Sequence, residues 1–193
     1  MYGQDVSGVG RPPLIDADRK LITVNGGGKY TDAAINGRLF MAANQTPVAT
    51  STTLNTAFTG LALCNPTGSG KLLIVHEFGW ALDQSAAGDA VLALATTTDS
   101  GFATDIAIRC ARFGYATSVA YADAGATIIA PIIIKVLGSI GTNTTTALTQ
   151  NGLIDLGGSI VLAAGRALVT DTTLATGATS IQFSFMWEEV DAA

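Results

Sequence analysis

From about Tyr30 onward, apolar and polar residues alternate in short runs separated by turn-forming residues. The clearest run is TSIQFSFMWEE, residues 179–189. Ile181, Phe183, Phe185 and Trp187 fall on one side of it; Gln182, Ser184 and Glu188 fall on the other. Successive side chains of a strand point to opposite faces, so this run predicts a half-buried strand with an aromatic inner face. Met186 interrupts the polar side, which predicts an outer surface that is not fully wet. Further strands are predicted over 39–43, 58–64, 71–82, 90–96, 106–111, 116–121, 127–136, 153–156, 159–162 and 167–170. The turn signals NPTGSG, DQSAAGD, TTTDSG, DAG, GTNTTT, QNG and AAGR lie between them. Short strands at regular spacing predict an all-β, antiparallel sandwich or barrel. The best helical candidate is 31–45, TDAAINGRLFMAANQ, although Gly37 and the lack of a clean helical period weigh against it.

Residues 1–30 read differently. They hold Pro12-Pro13, Gly26-Gly27-Gly28 and four of the chain's ten basic residues, with few apolar positions spaced for a core. This predicts an extended N-terminal arm with a short strand over 20–24, ordered on a partner, followed by a sandwich domain over 31–193.

Composition sharpens the picture. Only 13% of the 193 residues are charged, against about a quarter in ordinary soluble chains. Gly, Ala, Ser and Thr replace the missing charge, and the loops TSTTLNT, ATTTDS, TNTTTALT and TDTTLAT are threonine-rich. A surface so poor in charge is expected to be covered by partner subunits, because permanent interfaces disfavour charge. The net charge of −5 and the scatter of the ten basic residues argue against direct nucleic-acid binding. No membrane contact is expected. The longest apolar run, GATIIAPIII (125–134), is far short of the ~20 residues that span a bilayer. The first residues, MYGQDVSGVGRPP, lack the apolar centre of a signal peptide, so folding in a cytoplasm is expected.

One stretch invites a catalytic reading. LALCNPTGSGKLLIVHEFGWAL, residues 61–82, looks like a phosphate-binding loop. That motif needs a glycine five positions before the Gly-Lys pair, where Asn65 stands. It also needs a hydroxyl after the lysine, where Leu72 stands, and a following helix, where a β-type run follows. The residues predict a turn between two strands instead.

Other chemistry is sparse. His76 is the only histidine; on a regular strand it shares a face with Ile74, Phe78, Trp80 and Leu82, which predicts a structural, hydrogen-bonded role. Cys64 and Cys110 lack metal-ligand spacing and predict buried free thiols. Ser69, in GSG, has no matching nucleophile pattern. The acid pairs Asp16/Asp18 and Glu188/Glu189 predict solvated carboxylates. Trp80 and Trp187 predict core packing. No catalytic residue, cofactor or metal is expected.

The run FTGLALCNPTGSGKLLIVHEFGWAL, with GGSIVLAAGRALV downstream and a terminal SFMWEEV, resembles small virion structural proteins of tailed bacteriophages. The matching features are a strand leading into an NP-x-GSGK turn and a long strand, then a GxSIVL hairpin before an aromatic strand ending in Trp-Glu-Glu. Residues 39–190 carry the resemblance. It implies a jelly-roll sandwich, often homotrimeric, that cements or decorates the capsid exterior, with the major capsid protein as partner and assembly in the bacterial host cytoplasm. Tail-fibre or glycan-binding receptor modules are the alternative. Sugar stacking would then need aromatics at loop tips, for which Phe102 and Tyr115 are the candidates. For partner capture the arm is expected to use Arg11, Pro12, Pro13, Leu14, Ile15, Leu21, Ile22 and Val24, pairing its backbone with a sheet edge.

Overall fold

The computed structural model describes residues 3–4, 10–11, 28–48, 50, 57–58, 60–82, 90–103, 105–126, 128–140, 151–173 and 181–192. The chain divides into two units, 1–32 and 33–193. In the first, β1 (Gly3–Gln4) pairs antiparallel with β2 (Gly10–Arg11). The strand expected over 20–24 lies outside the described residues.

A short helix, α1, spans Thr31–Ile35. It does not reach the Gln45 expected of it. Gly37 takes a φ of 69° and its N–H caps the Ala34 carbonyl at 3.1 Å, the usual way a helix stops. The alternating residues that follow form β3 (Leu39–Ala43).

The remaining strands are β4 (Ala57–Phe58), β5 (Ala62–Asn65), β6 (Lys71–Leu82), β7 (Ala90–Thr98), β8 (Arg109–Cys110), β9 (Tyr121–Asp123), β10 (Ile128–Ile129), β11 (Ile132–Ile140), β12 (Asn151–Leu162), β13 (Arg166–Thr172) and β14 (Ile181–Asp191). Two five-stranded antiparallel sheets pack together. One runs β12-β6-β14-β3-β8 and the other β11-β7-β13-β5-β9; β4 and β10 form a separate short pair. The pairs β5–β13, β6–β12 and β7–β11 are nested in sequence, each inside the one before.

The core lies between the two sheets. From one come Phe78, Phe183, Phe185 and Trp187; from the other, Leu63, Leu92, Leu94 and Leu168. Each such side chain contributes roughly 1.5–3 kcal/mol when fully buried. The aromatic face predicted for β14 is present, buried at Ile181, Phe183, Phe185 and Trp187.

Several expected elements differ, each for a local reason. The 127–136 run breaks at Ala130, with a φ of 53°, and at Pro131, which has no N–H for a ladder. The 58–64 run breaks around Gly60, and the strand within 106–111 covers only Arg109–Cys110. Residues 116–120 are not a strand. Their amides go to side chains: Val119 N–H to Glu189 at 3.3 Å and Ala120 N–H to Ser118 Oγ at 2.9 Å. The strands expected over 153–156 and 159–162 are one strand, β12, whose register with β6 jumps between Asp155 and Ile160. The expected GxSIVL hairpin is a corner between sheets, since β12 and β13 belong to different ones. Asn65 fastens that corner, its Nδ2 donating to Lys71 O at 2.8 Å and Leu162 O at 2.9 Å.

Candidate functional site

The glycine cluster that resembled a phosphate loop is a sheet-to-sheet turn. Ser69 N–H donates to Pro66 O at 3.1 Å, and Gly68 and Gly70 take positive φ. A strand, β6, follows instead of a helix. Lys71 Nζ lies 2.5 Å from Asp191 Oδ1, neutralised by a carboxylate rather than held for an anion. The Ser69 hydroxyl is used within the turn, accepting Lys71 N–H at 3.2 Å.

His76 does not share a face with Phe78, Trp80 and Leu82. In the β6–β14 register Glu77 pairs with Met186 and Val75 with Trp187, so His76 is the extra residue of a bulge. A bulge flips the alternation downstream of it. Leu73 and Val75 face the core before it, and Phe78 and Leu82 after it. His76 is left on the outer side, its Nε2 3.6 Å from Glu188 Oε2, while Arg38 Nε lies 3.0 Å from Glu188 Oε1. Glu188 therefore lies between His76 of β6 and Arg38, which precedes β3.

The terminal acid pair is not solvated, contrary to expectation. Glu189 is buried and accepts Ser118 Oγ–H at 2.5 Å, Val119 N–H at 3.3 Å and the Trp187 indole N–H at 3.3 Å. Its three donors offset the loss of water. Asp123 is likewise buried, taking Ala103 N–H at 2.7 Å on one oxygen and Gly125 and Ala126 N–H at 2.7 and 2.9 Å on the other. Both acids organise loops. Asp16 and Asp18 lie outside the described residues.

Cys64 and Cys110 are buried and unbridged. Burial, with Asp99 and Asp123 nearby, pushes the Cys64 thiol up to about 12. Trp187 is fully buried and Trp80 packs against the same core. Among the described residues, no group of three or more His, Cys, Asp or Glu side chains is placed to hold a metal ion. No helix among them is long and apolar enough to cross a membrane.

The surface is more informative. Among the described residues, β11 and β12 are the outermost strands of their sheets. Ile132 is 68% exposed, Val136 63% and Leu153 71%, with Ile134 and Val161 also exposed. The second notable surface is the loop 108–117. It borders a cavity of about 490 Å³ lined by Ile108, Arg109, Phe113, Tyr115 and Thr117 among others. Phe113 is 79% exposed. Tyr115 is also exposed, but the Arg112 guanidinium lies 3.9 Å from its ring centre. Phe102 is partly buried against Ala62, Ala95 and Val169.

No family model matches this chain, and no characterised protein is significantly similar to it in sequence. Of the residues expected to capture a partner, Arg11 closes the β1–β2 pairing opposite Gly3. Pro12, Pro13, Leu14, Ile15, Leu21, Ile22 and Val24 lie outside the described residues. The exposed rows on β11 and β12 were not marked in advance. Alternation tells which side chains share a face, not which strand ends a sheet.

Proposed function

We propose that this chain is a bacteriophage virion structural protein, a cement or decoration protein that binds the outside of the head and stabilises the shell. The observation that carries this reading is the exposure of β-branched and leucine side chains along β11 and β12 in a chain with little charge. Exposed apolar rows on edge strands mark association surfaces. The nested pairs β5–β13, β6–β12 and β7–β11 support a jelly roll, because folding one long hairpin over itself produces that nesting. The resemblance over 39–190 supports the phage setting, with the major capsid protein as partner and a homotrimer as the assembled unit. Cementing acts by mass action: a protein that binds only the closed shell lowers its free energy. Several contacts per oligomer multiply the effect.

The test compares phage particles with and without the protein. Particles lacking it should release DNA at lower temperature, and adding the purified chain should restore them. Deleting residues 1–28 should weaken shell binding and leave the sandwich folded. Purified chain that does not bind shells, or antibody label on tails rather than heads, overturns the reading.

The loop 108–117 favours a second reading, a receptor-binding module of the tail. Exposed Phe113 beside a cavity is suited to stacking on a sugar ring. A glycan array distinguishes the two: binding that is lost in Phe113→Ala favours the tail module.

A further inference from the structure

β11 and β12 each expose apolar side chains beside a single charged residue, and the two charges are opposite. β11 exposes Ile132 on the face of Lys135, its one charged residue, with Ile134 the extra residue of the bulge between them and Val136 on the other face; β12 exposes Leu153 and Val161 on the face of Asp155, its one charged residue. Lys135 and Asp155 are themselves exposed. One Asp155 oxygen accepts Gly157 N–H at 2.8 Å, which holds the carboxylate in place on the strand.

We propose that β11 of one copy packs against β12 of the next, head to tail, with Ile132 and Ile134 against the apolar side chains of β12 and Lys135 opposite Asp155. The inference rests on reading these two strands as association surfaces, and it names what covers them: a second copy of this chain. Charge selects the pairing. A β11–β11 contact would bring two lysines together and a β12–β12 contact two aspartates, whereas β11–β12 joins opposite signs. Identical copies supply both surfaces in equal number.

The contact runs through side chains rather than through an extended ladder. The β11 register is broken between Ile133 and Lys135 and again between Val136 and Gly138, and the β12 register between Asp155 and Ile160. Irregular edges are poor templates for adding a strand. A head-to-tail contact uses two different patches, so it closes into a ring when the rotation between copies permits. A finite oligomer is expected.

The experiment uses the purified full-length chain without particles, in size-exclusion chromatography with light scattering over a range of concentration. Lys135→Asp and Asp155→Lys should each weaken association by roughly tenfold or more, because like charges then face one another. The double variant should return to near the original affinity. Lys135→Gln and Asp155→Asn, which cannot repel, should give smaller losses and serve if a reversal disturbs folding by circular dichroism. A monomer at the highest concentration reached overturns the proposal, as does an oligomer indifferent to all four substitutions or a double variant no better than the singles. A chain that oligomerises through these residues but binds no shell sinks the cement reading and leaves this contact standing.

Discussion

The Trp187 indole N–H donates to the Glu189 carboxylate at 3.3 Å, two residues along the same face of one strand. Both are buried, and the same carboxylate binds Ser118 and Val119. The pair thus ends the aromatic face of β14 with an acid that fixes the segment leading into β9. Glu189→Ala strands a buried indole N–H and a hydroxyl, and is expected to cost about 3 kcal/mol. Urea denaturation should show a lower midpoint with unchanged slope. Glu189→Gln, which keeps one acceptor oxygen, should lose less.

Asp123 plays the corresponding role at the opposite sheet's edge. Replacing it by Asn keeps an acceptor for Gly125 and Ala126 but turns an amide NH2 toward the Ala103 N–H. Asp123→Asn should therefore cost about 1–3 kcal/mol. Hydrogen exchange should accelerate at Ala103 more than at Gly125 and Ala126. Equal acceleration at all three would mean the carboxylate's oxygens are not divided as the structure has them.

How much of this was legible in the sequence depends on which property is asked for. The aromatic face of β14 was, because strict alternation encodes two-faced burial directly. The turn at 66–70 was, because the phosphate-loop requirements fail residue by residue. The His76 face was not: nothing in KLLIVHEFGWAL marks an extra residue, since the bulge exists only in the pairing of β6 with its neighbours β14 and β12. The two-sheet corner at 163–165 reads as a hairpin for the same reason, because a short Gly-containing link serves either connection. Glu189 was misread because two of its three donors lie some 70 residues upstream. The candidate surface on β11 and β12 was hidden by the order of strands, a tertiary fact.

The Gly157-Gly158 step in β12 tests whether the bulge is required. Both take positive φ, and a Cβ on Gly158 would lie 2.9 Å from Ile74 Cγ2 and 3.6 Å from the His76 ring. Gly158→Ala should cost about 1–3 kcal/mol through backbone strain and the displaced Ile74. Gly157→Ala meets only Asp155, at 3.8 Å, and carries the strain term without the clash. Thermal melts should rank Gly158→Ala below Gly157→Ala; the reverse order would place the tight approach elsewhere.

The exposed carboxylates Asp99 and Asp191 are held below the ordinary range by hydrogen bonds from Thr67 and Lys71. A lowered carboxylate favours the fold above its unfolded value, and that contribution fades as pH falls through the folded one. Solvent screening keeps both contributions small. Thr67→Pro, which removes the hydroxyl hydrogen bond to Asp99 and the N–H donated to it at 2.7 Å, should raise the Asp99 value toward 3.8 in a carbon-detected NMR titration. An unmoved value would mean that Thr67 does not set it.

Cys64 sets the alkaline behaviour. Its thiol is raised from 9.0 to about 12, first by burial and then by Asp99 and Asp123. A group raised in the fold stabilises it below the unfolded value and loses that contribution as pH climbs from about 9 toward about 12. Stability should therefore fall across that window in the native sequence and fall less steeply in Cys64→Ala, measured by urea titration at successive pH. The same shift leaves almost no thiolate at pH 8, on the order of one part in ten thousand. Ellman's reagent at pH 8 should find Cys64 unreactive in the folded chain and both cysteines reactive in urea. Fast labelling of Cys64 in the folded state would mean that solvent reaches the face of β5 opposite the inter-sheet core, where Cys64 lies on the side of Ala62.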